Sequence, residues 1–165
     1  MRVWPYLDAN HATWYDRWVI TEAQGSLFDT GAVALVNPVN CVGVMGAGLA
    51  LQFKRRFPSN FAAYQDDCRS GILHPGRVTL FREAGCWIVN FPTKDHWRDP
   101  SRLEWVESGL AYLRKVLDLD RIRSVAVPAL GCGLGGLKWP DVKQAIEGAL
   151  GDGSFETFVY PPATA

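Results

Sequence analysis

Short apolar runs alternate along the chain with segments in which apolar residues recur every three or four positions. The short runs occupy residues 18–21, 32–37, 78–81, 86–91, 124–130 and 155–160. Continuous apolar runs of this length are typical of strands that a parallel sheet buries on both faces. We therefore predict a strand at each of these places.

The segments with helical spacing lie between the predicted strands. They span residues 49–57, 60–69, 101–117 and 139–150, and Pro58 ends the first of them. Ser101, with Glu104 three positions later, predicts the N-cap of the third helix. Alternating strands and helices predict an α/β fold, a three-layer α/β/α sandwich with a mixed, largely parallel central sheet. Ligands of such sheets bind at the carboxyl ends of the strands.

Composition indicates the size of the protein and limits how it can bind nucleic acid. The chain has 165 residues, of which 48% are hydrophobic and 21% charged, which is typical of one globular domain. Its 17 basic and 17 acidic residues cancel, so any contact with nucleic acid has to be local. We assign residues 18–165 to the domain, and residues 1–17, which are rich in aromatic side chains, to an N-terminal segment that is either a packing extension or a lid.

The sequence carries few signals for export, membrane or metal. No apolar stretch approaches the roughly 20 residues of a membrane span, and the N-terminus lacks the apolar core of a signal peptide. We expect a cytoplasmic protein with no membrane partner. Cys41, Cys68, Cys86 and Cys132 are widely spaced, so we expect reduced thiols, with no metal and no cofactor.

Two glycine-rich loops are the main chemical feature of the chain. Residues 43–48 and 131–136 each follow a predicted strand and lie about ninety positions apart. Glycine lets backbone N–H groups approach an anion closely, and a following helix adds its positive N-terminal end. Neither loop matches the dinucleotide-binding or P-loop pattern, so we disfavour dehydrogenases and P-loop NTPases. The pair could clamp one diphosphate.

Polar side chains follow the same strands. Asn37 and Asn40 could bind ribose hydroxyls or satisfy their own turn, and position alone does not separate these alternatives. Lys94 could act as a nucleophile in a partly dry pocket, but on position alone a solvated lysine, or one paired with a phosphate or Asp95, is favoured. His96 could be a general acid or base, or a structural residue beside Trp97.

Four segments together resemble the macrodomain family. They are residues 34–40 (ALVNPVN), 43–54 (GVMGAGLALQFK), 90–94 (NFPTK) and 128–137 (PALGCGLGGL). The likeness is greatest to the DarG branch, bacterial antitoxins that remove ADP-ribose from DNA, and to the related terminal ADP-ribose glycohydrolases. It extends over residues 18–160, and the combination is far more specific than any one motif.

The resemblance implies an ADP-ribose pocket in which the two glycine loops hold the diphosphate and the distal ribose. Asn40 would contact the distal ribose, and Lys94 would attack its anomeric carbon and form a transient covalent adduct, so both are assigned to catalysis. The residues implied to bind ADP-ribose are Ser26, Leu27, Asn37, Asn40, Val44, Met45, Gly46, Ala47, Gly48, Thr93, Gly131, Cys132, Gly133, Leu134 and Gly135.

The implied function is a hydrolase that removes ADP-ribose from single-stranded DNA, with thymine as the expected base. Such an enzyme reverses a DNA ADP-ribosyltransferase toxin, as an antitoxin and a form of DNA repair. Two alternatives stay open: a non-catalytic ADP-ribose-binding module, and a hydrolase of ADP-ribosylated protein carboxylates or O-acetyl-ADP-ribose. Antitoxins of this branch usually carry a toxin-binding domain, so the chain is either part of such a protein or a stand-alone domain.

Two positions depart from the family's pattern. Related glycohydrolases have an aspartate that assists the lysine where this chain has Gly135, although the DarG branch also has a small residue there. We expect this position to leave room for a bulky nucleobase. Ser26 stands where many macrodomains have an aspartate that holds the adenine amino group, so we expect weaker adenine anchoring. The basic residues 54–56 or the aromatic N-terminal segment could guide nucleic acid, although solvated helix charges are the favoured role for 54–56.

Overall fold

A central sheet and four helices make up residues 20–163, the part of the chain that the computed structural model describes. The strands are β1 Ile20–Glu22, β2 Ala34–Val39, β3 Thr79–Glu83, β4 Cys86–Pro92, β5 Ser124–Pro128 and β6 Glu156–Tyr160. The helices are α1 Gly48–Arg56, α2 Pro58–Arg69, α3 Leu103–Leu119 and α4 Trp139–Leu150, with a 3₁₀ turn at Leu27–Asp29. The predictions for residues 1–17 and for the start of the first strand lie outside the described residues.

The strands form one sheet in the order β1-β6-β5-β2-β4-β3. Strand β2 pairs in parallel with both β4 and β5, β5 pairs in parallel with β6, and β6 with β1. Only the edge strand β3 is antiparallel to its neighbour, β4, among the described pairs. The predicted mixed, largely parallel sheet is therefore confirmed, and the loops after β2, β4 and β5 leave the sheet at one edge.

Helices cover both faces of the sheet, which explains the continuous apolar runs. Along β2, Ala34 and Val36 pack with the buried side chains of α3 and α4, whereas Leu35 packs with Phe53 of α1 on the other face. Successive side chains of a strand point to opposite faces, so a strand covered twice must be apolar at every position. This confirms the predicted α/β/α sandwich.

Ser101 does not cap α3 as the sequence predicted. Arg102 holds the N-cap position, and no side chain among the described residues bonds to this helix end. The backbone N–H of Ser101 instead donates to the Gly135 carbonyl at 3.0 Å, and the side chain is buried. The prediction was wrong because Ser101 lies one residue before the N-cap position and bonds to the second glycine loop instead.

A close contact between α3 and β4 fixes the segment that precedes Lys94. A Cβ added to Gly109 would lie 2.5 Å from Phe91 Cζ, and the Phe91 side chain is fully buried. Glycine at this helix position is therefore required by packing, because any larger residue would push the phenyl ring of β4.

We expect Gly109→Ala to lower the free energy of unfolding by about 1–3 kcal/mol, since overpacking a closed contact displaces Phe91. Gly148→Ala is the matched control. Gly148 also lies inside a helix, but an added Cβ there meets nothing within 4 Å, so this variant should be more stable than the wild type by up to about 1 kcal/mol. Urea unfolding of the three proteins measures both changes, and equal effects of the two substitutions would contradict the packing argument.

Candidate active site

A cavity of about 1290 Å³ lies at the carboxyl edge of the sheet. Its wall is formed by the loops after β2, β4 and β5, the end of β6 and the segment around the 3₁₀ turn. Both glycine loops line it, through Val44, Gly46, Ala47, Gly48, Gly131, Cys132, Gly133, Leu134 and Gly135. The sheet topology therefore brings together two motifs that are far apart in the sequence.

Asn40 shapes the first loop with its own side chain. Its Oδ1 accepts from the backbone N–H of Val42 at 3.1 Å and of Val44 at 3.4 Å, and its Nδ2 donates to the Val44 carbonyl at 2.6 Å. The Tyr64 hydroxyl donates to the same Oδ1 at 2.9 Å. Asn40 lines the cavity, and its amide is already engaged in holding the loop backbone.

The first loop ends at the N-terminus of α1. Ala47 is the N-cap residue of this helix and no side chain of the described residues caps it, while Gly46, Ala47 and Gly48 face the cavity. The first N–H groups of a helix have no partner within the helix, and the helix dipole favours an anion at this end. An anionic group in the cavity would find donors here.

Lys94, in the loop after β4, bonds to the second glycine loop at the wall of the cavity. Its Nζ donates to the Leu134 carbonyl at 3.1 Å and to the Trp97 carbonyl at 3.3 Å. These two carbonyl acceptors fix the position of the Lys94 amine at the cavity wall.

Backbone hydrogen bonds continue the sheet into the site. The Thr93 N–H donates to the Val39 carbonyl at 3.0 Å, and the Cys41 N–H donates to the Asp95 carbonyl at 2.9 Å. The loops after β2 and β4 are thus bonded to each other before they separate around the cavity. Lys94 is positioned by backbone rather than by side-chain packing alone.

The second glycine loop is closed against Ser101. A side chain at Gly135 would overlap Ser101 Oγ and the carbonyl oxygen of Gly131, so the loop has no place for the aspartate of related glycohydrolases. Ser101 therefore fills the side of Gly135 where a side chain would project, while Gly135 itself lines the cavity. Gly131 has φ +70°, a conformation that favours glycine.

Asn37 and Met45 do not line the cavity, in contrast to the expected ligand contacts. Asn37 is fully buried beside its register partner Asn90, to whose Oδ1 its Nδ2 donates at 3.2 Å, and the Met45 side chain is 1% exposed. Asn60 of α2 bonds to Asn90 as well. Asn37 therefore belongs to a buried amide cluster behind the cavity wall, because its side chain points into the helical layer rather than to the edge of the sheet.

Ser26, Leu27 and Thr93, which the resemblance assigns to ADP-ribose binding, line the cavity. Ser26 caps the 3₁₀ turn, and its hydroxyl oxygen accepts from the Phe28 N–H at 3.3 Å. The hydroxyl proton of Ser26 is not used in that bond and can be donated to a ligand.

The sequence interpretation missed several wall residues, notably Phe28, Gln52, Trp97 and Tyr160. Tyr160 is the last residue of β6, and its position at the carboxyl end of a predicted strand was a usable signal. The basic residues Lys54, Arg55 and Arg56 lie in the last turn of α1, at the opposite end of the helix from the cavity, and are not among the wall residues.

The thiols near the site are held in their neutral form. Burial, together with Asp95 and Cys68, raises the pKa of Cys41 to about 12, and burial raises the pKa of Cys132 above its ordinary value. A thiol is nucleophilic only as the thiolate, so neither cysteine is an effective nucleophile near neutral pH. Within residues 20–163, no group of three or more His, Cys, Asp or Glu side chains could hold a metal ion, and no helix is long and apolar enough to cross a membrane.

Comparison with solved structures gives high similarity over most of the chain. The macrodomain of Mycobacterium tuberculosis DarG is 45% identical, with a TM-score of 0.82, and the match covers 88% of this chain and 99% of that one. Thermosipho africanus DarTG in complex with ADP-ribose is 35% identical with a TM-score of 0.81, covering 84% of this chain and 40% of that one. The fold is therefore the one found in these macrodomains.

Sequence comparison agrees with the structural match. A DNA ADP-ribosyl glycohydrolase of Thermus aquaticus is 49% identical over 144 residues, which are 84% of this chain and 40% of the relative. The chain thus spans about two fifths of the length of that relative. The family described as Macro domain matches residues 36–146, which is more than half of the chain. The chain therefore belongs to the macrodomain family.

Proposed function

We propose that this domain removes ADP-ribose from ADP-ribosylated DNA by hydrolysis. The observation that carries the proposal is the position of Lys94 Nζ, which bonds to a carbonyl of the second glycine loop at the mouth of the cavity. Proteins named DNA ADP-ribosyl glycohydrolase, 45–49% identical to this chain, support the substrate class. The chain spans about two fifths of their length. The activity of the full-length relatives is therefore a proposal for this domain.

The cavity suits ADP-ribose in size and in the order of its chemical groups. Its volume of about 1290 Å³ is ample for a ligand of this size. The diphosphate would lie between the glycine loops and the N-terminus of α1, where backbone N–H groups and the helix dipole favour an anion. The adenine would lie toward Ser26, Phe28 and Tyr160, and the distal ribose toward Asn40 and Lys94.

The proposed reaction proceeds in two steps through Lys94. The lone pair of Nζ attacks the anomeric carbon of the distal ribose and forms a C–N bond. The bond from that carbon to the nucleobase breaks, and its electron pair leaves with the base, which takes a proton from solvent. Water then attacks the same carbon and gives one proton to solvent, the C–N bond breaks, and Lys94 leaves as the neutral amine. Covalent catalysis of this kind divides one difficult cleavage into two easier steps.

A nucleobase leaving group is compatible with the absence of an acid at Gly135. The negative charge that develops on a pyrimidine such as thymine is shared with its ring carbonyl oxygens, so the base can depart before it is protonated. The aspartate of related glycohydrolases has no room here, because Ser101 occupies that space. A nucleobase leaving group therefore needs less assistance from a general acid than an amine or alcohol leaving group would.

The proposed biological role is reversal of a DNA ADP-ribosyltransferase toxin. A Thermosipho africanus relative, 36% identical over 135 residues, is named as a fusion of a DNA ADP-ribosyl transferase with a DNA ADP-ribosyl glycohydrolase. The name of that relative thus assigns both activities to one chain. We infer that this domain acts on the product of such a transferase, with single-stranded DNA as the carrier.

We expect Lys94→Ala to lower kcat for release of ADP-ribose from a thymidine-ADP-ribosylated single-stranded oligonucleotide by roughly a thousandfold or more, the scale of removing a nucleophile. Affinity for free ADP-ribose should stay within about tenfold, or about 1.4 kcal/mol, of the wild type. Chromatography of released ADP-ribose and calorimetric titration measure the two quantities.

Lys94→Arg is the matched control for charge, because a guanidinium keeps the positive charge but is a poor nucleophile. It should be as inactive as Lys94→Ala. Full turnover by either variant would exclude the nucleophile, whereas a wild type that binds ADP-ribose and releases none from DNA would favour the non-catalytic module. Release only from an ADP-ribosylated protein would change the substrate class.

A second prediction tests whether the second glycine loop binds the diphosphate. Gly133 lines the cavity, an added Cβ there meets nothing within 4 Å, and its φ lies outside the glycine-only range. At about 6 Å and an effective dielectric constant of about 20, two like charges repel by roughly 3 kcal/mol. Gly133→Glu should therefore weaken ADP-ribose binding at least about tenfold.

Gly133→Gln has the same size and no charge, and separates repulsion from steric blocking. We expect it to bind ADP-ribose at least about five times more tightly than Gly133→Glu. Equal affinities of the two variants would mean that no phosphate lies near this loop. Gly131 is unsuitable for this test, because a Cβ there would lie 2.8 Å from Leu137 Cδ1 and distort the loop.

A further inference from the structure

Exposed apolar side chains are concentrated in the loops that form the cavity wall. Trp97 is 46% exposed, Leu134 81% and Val44 40%, and all three line the cavity. Val42, at 45%, belongs to the same loop as Val44. These four are most of the seven large hydrophobic residues that are exposed within the described part of the chain. Apolar surface gathered at one place indicates a binding surface.

We propose that Trp97 is a stacking platform for a base of single-stranded DNA next to the modified nucleotide. The proposal rests on the proposed function and adds the means by which the DNA strand is recognised. Leu134, whose carbonyl accepts from the same Lys94 amine as the Trp97 carbonyl, would contact the modified base itself.

The position of Trp97 relative to the reacting atoms supports this role. Lys94 Nζ lies 3.3 Å from the Trp97 carbonyl and 3.1 Å from the Leu134 carbonyl, so a carbon attacked by this amine lies close to the backbone of both residues. The DNA strand continues away from that carbon through the modified base. A neighbouring base therefore reaches the rim, where about half of the indole side chain is open to solvent.

The His96 ring and the Arg98 guanidinium both lie against the Trp97 indole. The His96 ring stacks against it with centroids 5.4 Å apart and planes 28° apart, and the Arg98 guanidinium carbon lies 4.6 Å from the ring centroid. An aromatic ring beside an arginine is the combination that single-strand-binding proteins use for base stacking and phosphate contact. In a duplex, by contrast, neighbouring bases are already stacked on each other, so this surface favours single strands.

The charge around Trp97 limits the length of the contact. Arg98 is accompanied by Asp95 and Asp99, both exposed, and the chain as a whole has no net charge. A long phosphate track is therefore absent at this rim. We infer a contact of one or two nucleotides, held by stacking more than by charge.

The test compares two substrates with three variants. The substrates are an ADP-ribosylated thymidine nucleoside and a single-stranded ten-nucleotide oligomer that carries the same modified thymidine. The variants are Trp97→Ala, Trp97→Phe and, as a matched control, Trp105→Ala. Trp105 is a half-buried tryptophan with the Arg102 guanidinium carbon 5.0 Å from its ring centroid, and it does not line the cavity.

We expect Trp97→Ala to raise KM for the oligomer about tenfold relative to its effect on the nucleoside, since the neighbouring base loses the ring on which it stacks. Trp97→Phe should recover most of this difference, and Trp105→Ala should leave the ratio of the two KM values unchanged. Melting temperatures of the variants show whether each one is folded.

Three outcomes would overturn the proposal, and they differ from failure of the proposed function. An unchanged KM for the oligomer in Trp97→Ala would exclude stacking, and an equal loss on both substrates would mean that Trp97 only shapes the site. An equal change of the KM ratio in Trp105→Ala would mean that the effect is not local to the cavity. A wild type inactive on both substrates would instead overturn the proposed function, and this inference with it.

Discussion

Parallel pairing of β2 with β4 and β5 is the constraint on which the site depends. Register partners run from Ala34 and Trp87 to Val39 and Pro92, so β2 and β4 end at the same level. The hydrogen bond from the Thr93 N–H to the Val39 carbonyl extends this ladder one step beyond the strands. The chain then has to turn into loops at one edge of the sheet. The glycine loops and Lys94 meet there because the strands that carry them have the same direction and nearly the same end point.

Packing behind the sheet edge then fixes the shape of these loops. Phe91, fully buried against Gly109, sets the course of β4 just before Lys94, and Ser101 closes the second glycine loop from the helical layer. Glycine is needed at positions 109 and 135 for the same reason, since a side chain at either would collide with a neighbour. The second loop is therefore held in place rather than loose, and its carbonyl at Leu134 can hold the Lys94 amine at 3.1 Å. Preorganised polar groups of this kind lower the cost of reaching a transition state.

The sequence was sufficient to predict the strands, the order of the layers and the two loops, because apolar periodicity and glycine spacing are local properties. It was not sufficient where contact with a residue distant in the sequence determines the position of a side chain. Asn37 follows the strand pattern of a ligand-facing residue, yet its register partner Asn90 draws it into a buried amide cluster. Ser101 has the local pattern of an N-cap but bonds to Gly135 instead. From the sequence, Trp97 is only a neighbour of His96, because its place on the cavity wall depends on the path of the loop after β4.

Under the proposed function, the absence of net charge and the local character of DNA contact have one explanation. ADP-ribose is covalently attached to its DNA carrier, so binding of the diphosphate in the cavity already brings the strand to the domain at a high effective concentration. The contact with DNA can then be small and still select the substrate, since it only has to distinguish a flexible single strand from a duplex or a protein. A strongly basic surface would bind unmodified DNA, which is in vast excess, and would hold the enzyme away from its substrate. A neutral surface with one aromatic platform avoids that competition.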